Sequence, residues 1–197
     1  MLSEGVVPSN IHYPTDAGLL SDSVKKITKI VKEIKDQGVG VKIKFRDRTR
    51  TVKKTILRLC KNLRKKATSK KESIKEQTKK LLTITRDVLN QAKAVAQDAA
   101  QAAQEDLFDG IKALCDDLNE FTNIADRIQD QTQKVLADKG DTIKSRIVSI
   151  FDTTARPIKK GKLGVKAEFG NKVVVQDTAQ GIVTGYQVLE ENPSDTD

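Results

Sequence analysis

Apolar residues in the first part of the chain recur with a helical period. Leu20, Val24, Ile27, Val31 and Ile34 follow one another at spacings of four, three, four and three, which places them on one face of a helix. Thr15 or Asp16 can accept a hydrogen bond from the free N–H groups at its start, near Ala17, and Gly38 and Gly40 end it. Val52, Ile56, Leu59 and Leu63 repeat the spacing in a second helix. After a break at Ala67-Thr68-Ser69, residues 72–104 read as one long helix whose later part is rich in Ala and Gln. Leu107, Ile111, Leu114, Leu118, Phe121, Ala125, Ile128, Thr132 and Val135 then alternate spacings of four and three without interruption. A seam sustained over about four heptads predicts a coiled coil, packed either within the chain or against a second copy as a homodimer.

The two ends have a different pattern. Residues 6–13 are β-favouring and interrupted by Pro8, as in an edge strand or a bent one. Residues 146–151 are β-like, residues 155–164 are basic and rich in Gly and Lys, and residues 169–175 read as a strand. A turn over residues 176–180, with Gly181 at its end, leads to a second strand over residues 182–189, antiparallel to the first. The expected class is α+β. Three regions are expected: a strand-plus-helix start at 1–40, a helical insertion at 41–140, and a β-hairpin part at 141–197.

Charge divides the helical part. Residues 24–80 hold 22 Lys and Arg against 5 Asp and Glu, a net of +17, whereas residues 97–138 hold 3 against 10, a net of −7. An acidic helix beside a basic one invites antiparallel pairing, pictured as a hairpin that projects from a smaller body. Only 4% of residues are aromatic and 32% are charged, which also favours long exposed helices over a bulky core. The chain as a whole carries +9, which points to a polyanionic partner, nucleic acid or an anionic membrane; the plain alternative is a soluble protein that happens to be basic.

Several residues could carry that contact. Arg46, Arg48 and Arg50 alternate along a segment expected to be extended, so they share a face. With Lys42, Lys44, Lys53, Lys54 and Arg58 they could track a phosphate backbone, releasing counterions and making the binding salt-sensitive. The alternative is a solvated face paired with the acidic helix. Lys159, Lys160 and Lys162, with Gly161 and Gly164, form a second basic stretch that touches DNA or is simply an exposed loop. His12 is the only histidine and reads as structural, Asp16 as a helix cap, and Glu168 and Asp177 as solvated. Cys60 and Cys115 lie in apolar helical stripes with no CxxC partner, which suits a reducing, cytoplasmic setting and suggests no zinc site. No run of apolar residues is long enough to cross a membrane, and no secretory signal opens the chain.

Two blocks of sequence carry a resemblance. The first is Asn10-Ile11-His12-Tyr13-Pro14-Thr15-Asp16 followed by Gly18-Leu19-Leu20 and Asp22. The second runs over residues 147–195 and includes Val148-Ser149-Ile150-Phe151-Asp152, Ala155-Arg156-Pro157-Ile158, Lys160-Gly161-Lys162-Leu163-Gly164, Glu168-Phe169-Gly170 and Asn192-Pro193-Ser194-Asp195. In this order around a helical insertion, they resemble DDE-type insertion-sequence transposases with an RNase H-like core. The resemblance implies a partial RNase H-like sheet interrupted by helices, and a parent enzyme that cuts and joins transposon ends. In such enzymes three acids hold two Mg2+ (or Mn2+) ions, one activating the attacking oxygen and one stabilising the leaving oxygen.

On this resemblance Asp195 matches a catalytic, metal-binding position, with Glu191 where the family motif has Gly. No Asp stands at the family's first acidic position, where Ser3-Glu4-Gly5 lie, and the third acid would fall beyond Asp197. The chain alone is therefore expected to be inactive, a fragment or a decayed copy, with transposon-end and target DNA as partners of the parent. Neither a membrane partner nor a small-molecule substrate is expected. Two other readings stay open: a non-enzymatic basic helical protein that binds nucleic acid, and a coiled-coil scaffold.

Overall fold

Thr15 starts the first helix. Its hydroxyl oxygen accepts the Gly18 N–H at 3.0 Å, and Asp16 adds a carboxylate to the first turn, where the helix dipole favours one. In the computed structural model, which describes residues 2–9, 11, 14–38, 40–63, 70–106, 109–137, 143, 146–158 and 168–189, this helix is the second of eight elements. In order they are β1 (Leu2–Pro8), α1 (Asp16–Asp36), α2 (Thr49–Leu63), α3 (Lys70–Asp106), α4 (Asp109–Leu136), β2 (Arg156–Ile158), β3 (Glu168–Asp177) and β4 (Val183–Val188). The chain is thus mixed α+β. It divides into two compact units: Thr15–Gly140, which is helical, and Met1–Pro14 with Asp141–Asp197, which holds the strands.

In the helical unit α1 packs on α4, α3 and α2, and α3 packs on α4 and α2. Side-chain pairs fix the directions. Lys93 of α3 bonds Asp126 of α4, and the Cys115 thiol donates to the Ala96 carbonyl, so α3 and α4 are antiparallel. The Gln131 amide donates to Asp16 at 2.7 Å, and the Lys26 ammonium lies 4.8 Å from the centre of the Phe121 ring, so α1 and α4 are antiparallel as well. Asn62 donates to Ser73, which sets α2 antiparallel to α3. The result is an up-down-up-down arrangement of four helices. The hairpin expected for residues 41–140 is therefore wrapped by α1, which belongs with the helices and not with the opening strand.

The core follows the apolar series closely in α1, where Leu20, Val24, Ile27, Val31 and Ile34 are fully buried. In α4 the heptad seam is only partly kept. Ile111, Leu118, Ala125, Ile128 and Thr132 are buried, Leu114 and Phe121 are half-buried, and Val135 is 48% exposed. Cys115, Thr122, Ile124, Gln129 and Gln131 are buried beside them. A helix gripped by two neighbours buries an arc wider than a two-stranded seam. Leu107 and the expected break at Ala67-Thr68-Ser69 lie outside the described residues.

In the sheet unit β3 is the central strand. β1 runs antiparallel along one edge (Leu2 opposite Gln176, Pro8 opposite Gly170). β2 and β4 share the other edge in line, β2 opposite residues 168–170 and β4 antiparallel opposite residues 173–177. Gly181, at φ 78°, closes the β3–β4 turn in the left-handed region that glycine tolerates. One expectation changes here. Residues 146–151 form no strand although Ile147, Val148, Ser149 and Ile150 are buried, because the Ser149 hydroxyl oxygen takes the N–H groups of Phe151 and Asp152 and turns the chain. The basic stretch at 155–164 begins with β2, and the loop expected at residues 159–164 lies outside the described residues.

Asp152 fastens this unit. One carboxylate oxygen accepts the Ser9 hydroxyl at 2.7 Å; the other accepts the Thr154 hydroxyl and the N–H groups of Thr154 and Ala155. Burial pushes the Asp152 carboxyl upward, but these four donors outweigh it and hold it below the usual carboxylate value.

Candidate nucleic-acid interface

The basic stretch resolves into two elements joined by one carboxylate. Residues 40–48 run from α1 to α2 along α3, and Asp47 stops them. Its carboxylate accepts the Thr49 N–H at 2.9 Å and the Thr49 hydroxyl at 2.6 Å, and pairs with Lys32 of α1 at 2.7 Å. The bond from Lys32, then those from Thr49, hold the Asp47 carboxyl down at about 2. Asp47 therefore starts α2 and ties it to α1. Replacing Asp47 with Ala is expected to cost about 1 kcal/mol of stability at neutral pH. Because the folded-state value is depressed, this contribution is present above the ordinary value of 3.8 and fades as pH falls to about 2, where variant and parent chain converge. Thermal unfolding followed across that pH range checks both statements.

The helix that Asp47 begins has no acidic residue. Val52, Thr55 and Leu59 face inward. Arg50, Lys53, Lys54, Arg58 and Lys61 are all exposed, and at 100° per residue they fall within a single outward arc around Leu57, itself 55% exposed. None of these five cations makes an ion pair among the described residues. Four of them, Arg50, Lys53, Lys54 and Arg58, are the α2 positions expected to contact DNA; Lys61, a basic position on the same helix three residues after Arg58, joins them.

The expected shared face of Arg46, Arg48 and Arg50 is not formed. Arg46 is exposed on the extended segment, Arg48 is half-buried with its Nε buried and without a partner, and Arg50 already belongs to α2. The alternation breaks because Asp47 turns the chain into a helix at Thr49. A further basic area lies between α3 and the end of α4, where Lys75, Lys79 and Arg86 border a groove of about 480 Å3 closed by Leu82 and Leu136. Their spacing of four and seven along α3 was legible, but the groove was not.

Lys159, Lys160, Lys162, His12 and Asp195 lie outside the described residues. Asp16 accepts from Gln131 in the first turn of α1, next to the capping Thr15, and Asp177 ends β3, half-buried. Among the described residues no three of His, Cys, Asp and Glu gather where they could hold a metal ion, and Asp152 commits both its oxygens to four donors. The described carboxylates thus offer no two-metal donor set. Among the described residues no helix is long and apolar enough to cross a membrane.

No protein-family model matches the chain, and no curated protein or solved structure matches it either.

Proposed function

We propose that the chain is a segment of a DDE-type transposase with an RNase H-like core, whose helical unit holds DNA through the outward face of α2. The observation that carries the DNA contact is the arc of five unpaired cations on a helix without a single carboxylate. Support for the transposase reading comes from the sheet unit. The strand that leads into the first block, β1, pairs along its length with β3 of the second block, more than a hundred residues on, and Ser9 bonds Asp152 of that block. In the parent, Asp195 and two further acids would hold Mg2+ or Mn2+, which would activate the attacking oxygen; this chain's own part is to hold DNA.

A second reading, a non-enzymatic nucleic-acid-binding protein, rests on the same outward face of α2, which needs no metal centre to hold DNA. A titration of labelled duplex DNA with the whole chain, read by fluorescence anisotropy at several salt concentrations, tests the contact common to both. A logarithmic salt slope of about −4 or steeper is expected if the five α2 cations each neutralise a phosphate. Absence of binding at low salt removes both readings. The flanking genomic sequence then separates them: an in-frame helix bearing a Glu, or bordering inverted repeats, belongs to the transposase, and their absence leaves the plain binder.

A further inference from the structure

Residues 42–61 hold nine cations and one carboxylate, and that carboxylate, Asp47, is already paired with Lys32. Four of the nine sit ahead of α2: Lys42, Lys44, Arg46 and the half-buried Arg48. Along residues 40–46 exposure alternates: Lys42, Lys44 and Arg46 are exposed, while Val41, Ile43 and Phe45 are half-buried. The backbone of this segment is hung from α3. The Lys42 N–H donates to Asp98 Oδ2 at 2.7 Å, the Ile43 N–H to the same oxygen at 3.3 Å, and the Arg46 N–H to Gln91 Oε1 at 2.8 Å. From the other side Lys35 Nζ donates to the Ile43 carbonyl at 3.0 Å. Asp98 and Gln91 are seven residues apart, about 10 Å along the helix, and four residues of chain near full extension span about 13 Å, so the segment lies nearly straight along α3.

We infer that residues 42–46 are a second phosphate-binding element, collinear with α2, that sets Lys42, Lys44 and Arg46 against the backbone of duplex DNA. The inference rests on the α2 reading and extends it. From Asp98 to Ser73, the α3 residues that meet the two ends of this run, is about 38 Å of helix, which matches about eleven base pairs of duplex. Duplex is favoured over single-stranded nucleic acid because the run offers no stacking platform: Phe45, its one aromatic, is turned inward and half-buried. Duplex is favoured over a membrane surface because the outward side chains of residues 42–46 are all cationic, while the apolar ones face the protein.

Asp98 is a positioning residue in this scheme, and the sign of its effect is diagnostic. Removing a carboxylate beside the run should strengthen DNA binding if charge alone matters, and weaken it if the position of the segment matters. The test uses the whole chain and anisotropy titrations with a sixteen-base-pair duplex, the matching single strand and anionic phosphatidylserine vesicles. The parent chain is expected to give a salt slope of about −7, and Lys42→Ala/Lys44→Ala/Arg46→Ala together about −4.5, since each lost phosphate contact removes about one unit. Asp98→Ala is expected to weaken duplex binding about tenfold or more, with helical circular dichroism unchanged, and Asp98→Asn, which keeps an acceptor for the Lys42 N–H, to restore it. A triple variant with the parent's slope, an Asp98→Ala chain that binds more tightly, or tighter binding to single strand or vesicles than to duplex would each overturn the inference. In those cases loss of binding on changing α2 still upholds the contact by that helix, whereas a parent chain that binds nothing ends both.

Discussion

Reversing Lys53, Lys54 and Arg58 to Glu together is expected to lower duplex affinity by about two to three orders of magnitude at about 0.1 M salt. The size follows from counterion release, in which each phosphate contact contributes about 0.9 logarithmic units per decade of salt, and three contacts are removed at once. All three side chains are exposed and unpaired, so folding should be untouched. Helical circular dichroism and the melting midpoint of the triple variant are expected to match the parent. Equal affinity for parent and variant at low salt would show that α2 does not carry the contact, and would pass the role to the groove edged by Lys75, Lys79 and Arg86.

The second large effect concerns stability. Leu118 is fully buried and Val135 is 48% exposed, although both belong to the apolar series of α4. Leu118→Ala is expected to cost about 3 kcal/mol, from lost burial and the cavity left behind, and to lower the melting midpoint by roughly 10 °C. Val135→Ala is expected to stay within about 0.5 kcal/mol of the parent. Similar losses at both sites would mean that Val135 is covered in solution, as it would be in a homodimer formed through this end of the seam.

That contrast shows how far sequence periodicity reaches. A four-three series marks a face but not how much of it is covered. α1 buries its whole series because its face meets three other helices, whereas α4 leaves Val135 exposed and buries Gln129 and Gln131 instead. Local side-chain bonds decided what periodicity could not. Ser149 and Asp152 capture backbone N–H groups and prevent a strand where Ile147, Val148 and Ile150 favour one. Asp47 does the same at the start of α2, so that Arg46 and Arg50 stay exposed while Arg48 between them is half-buried. For the interface, the abundance of positive charge and the α2 face were legible. The bonds that hold residues 42–46 along α3 were not, since Asp98 and Gln91 are distant in sequence and belong to a stretch that reads as acidic or neutral helix.

The sheet joins residues 2–8 to strands between residues 156 and 188, and this sets an order of events during folding. Among the described strands β1 pairs only with β3, which is made far later, because Pro8 pairs with Gly170 and Leu2 with Gln176. Closing so long a loop is slow and entropically unfavourable for a random coil. The helices, whose contacts are closer in sequence, can form first and shorten the effective loop. The β1–β3 pairing therefore waits until all four helices have been made, and any change that slows helix assembly lengthens the time that β1 is open to the wrong neighbour.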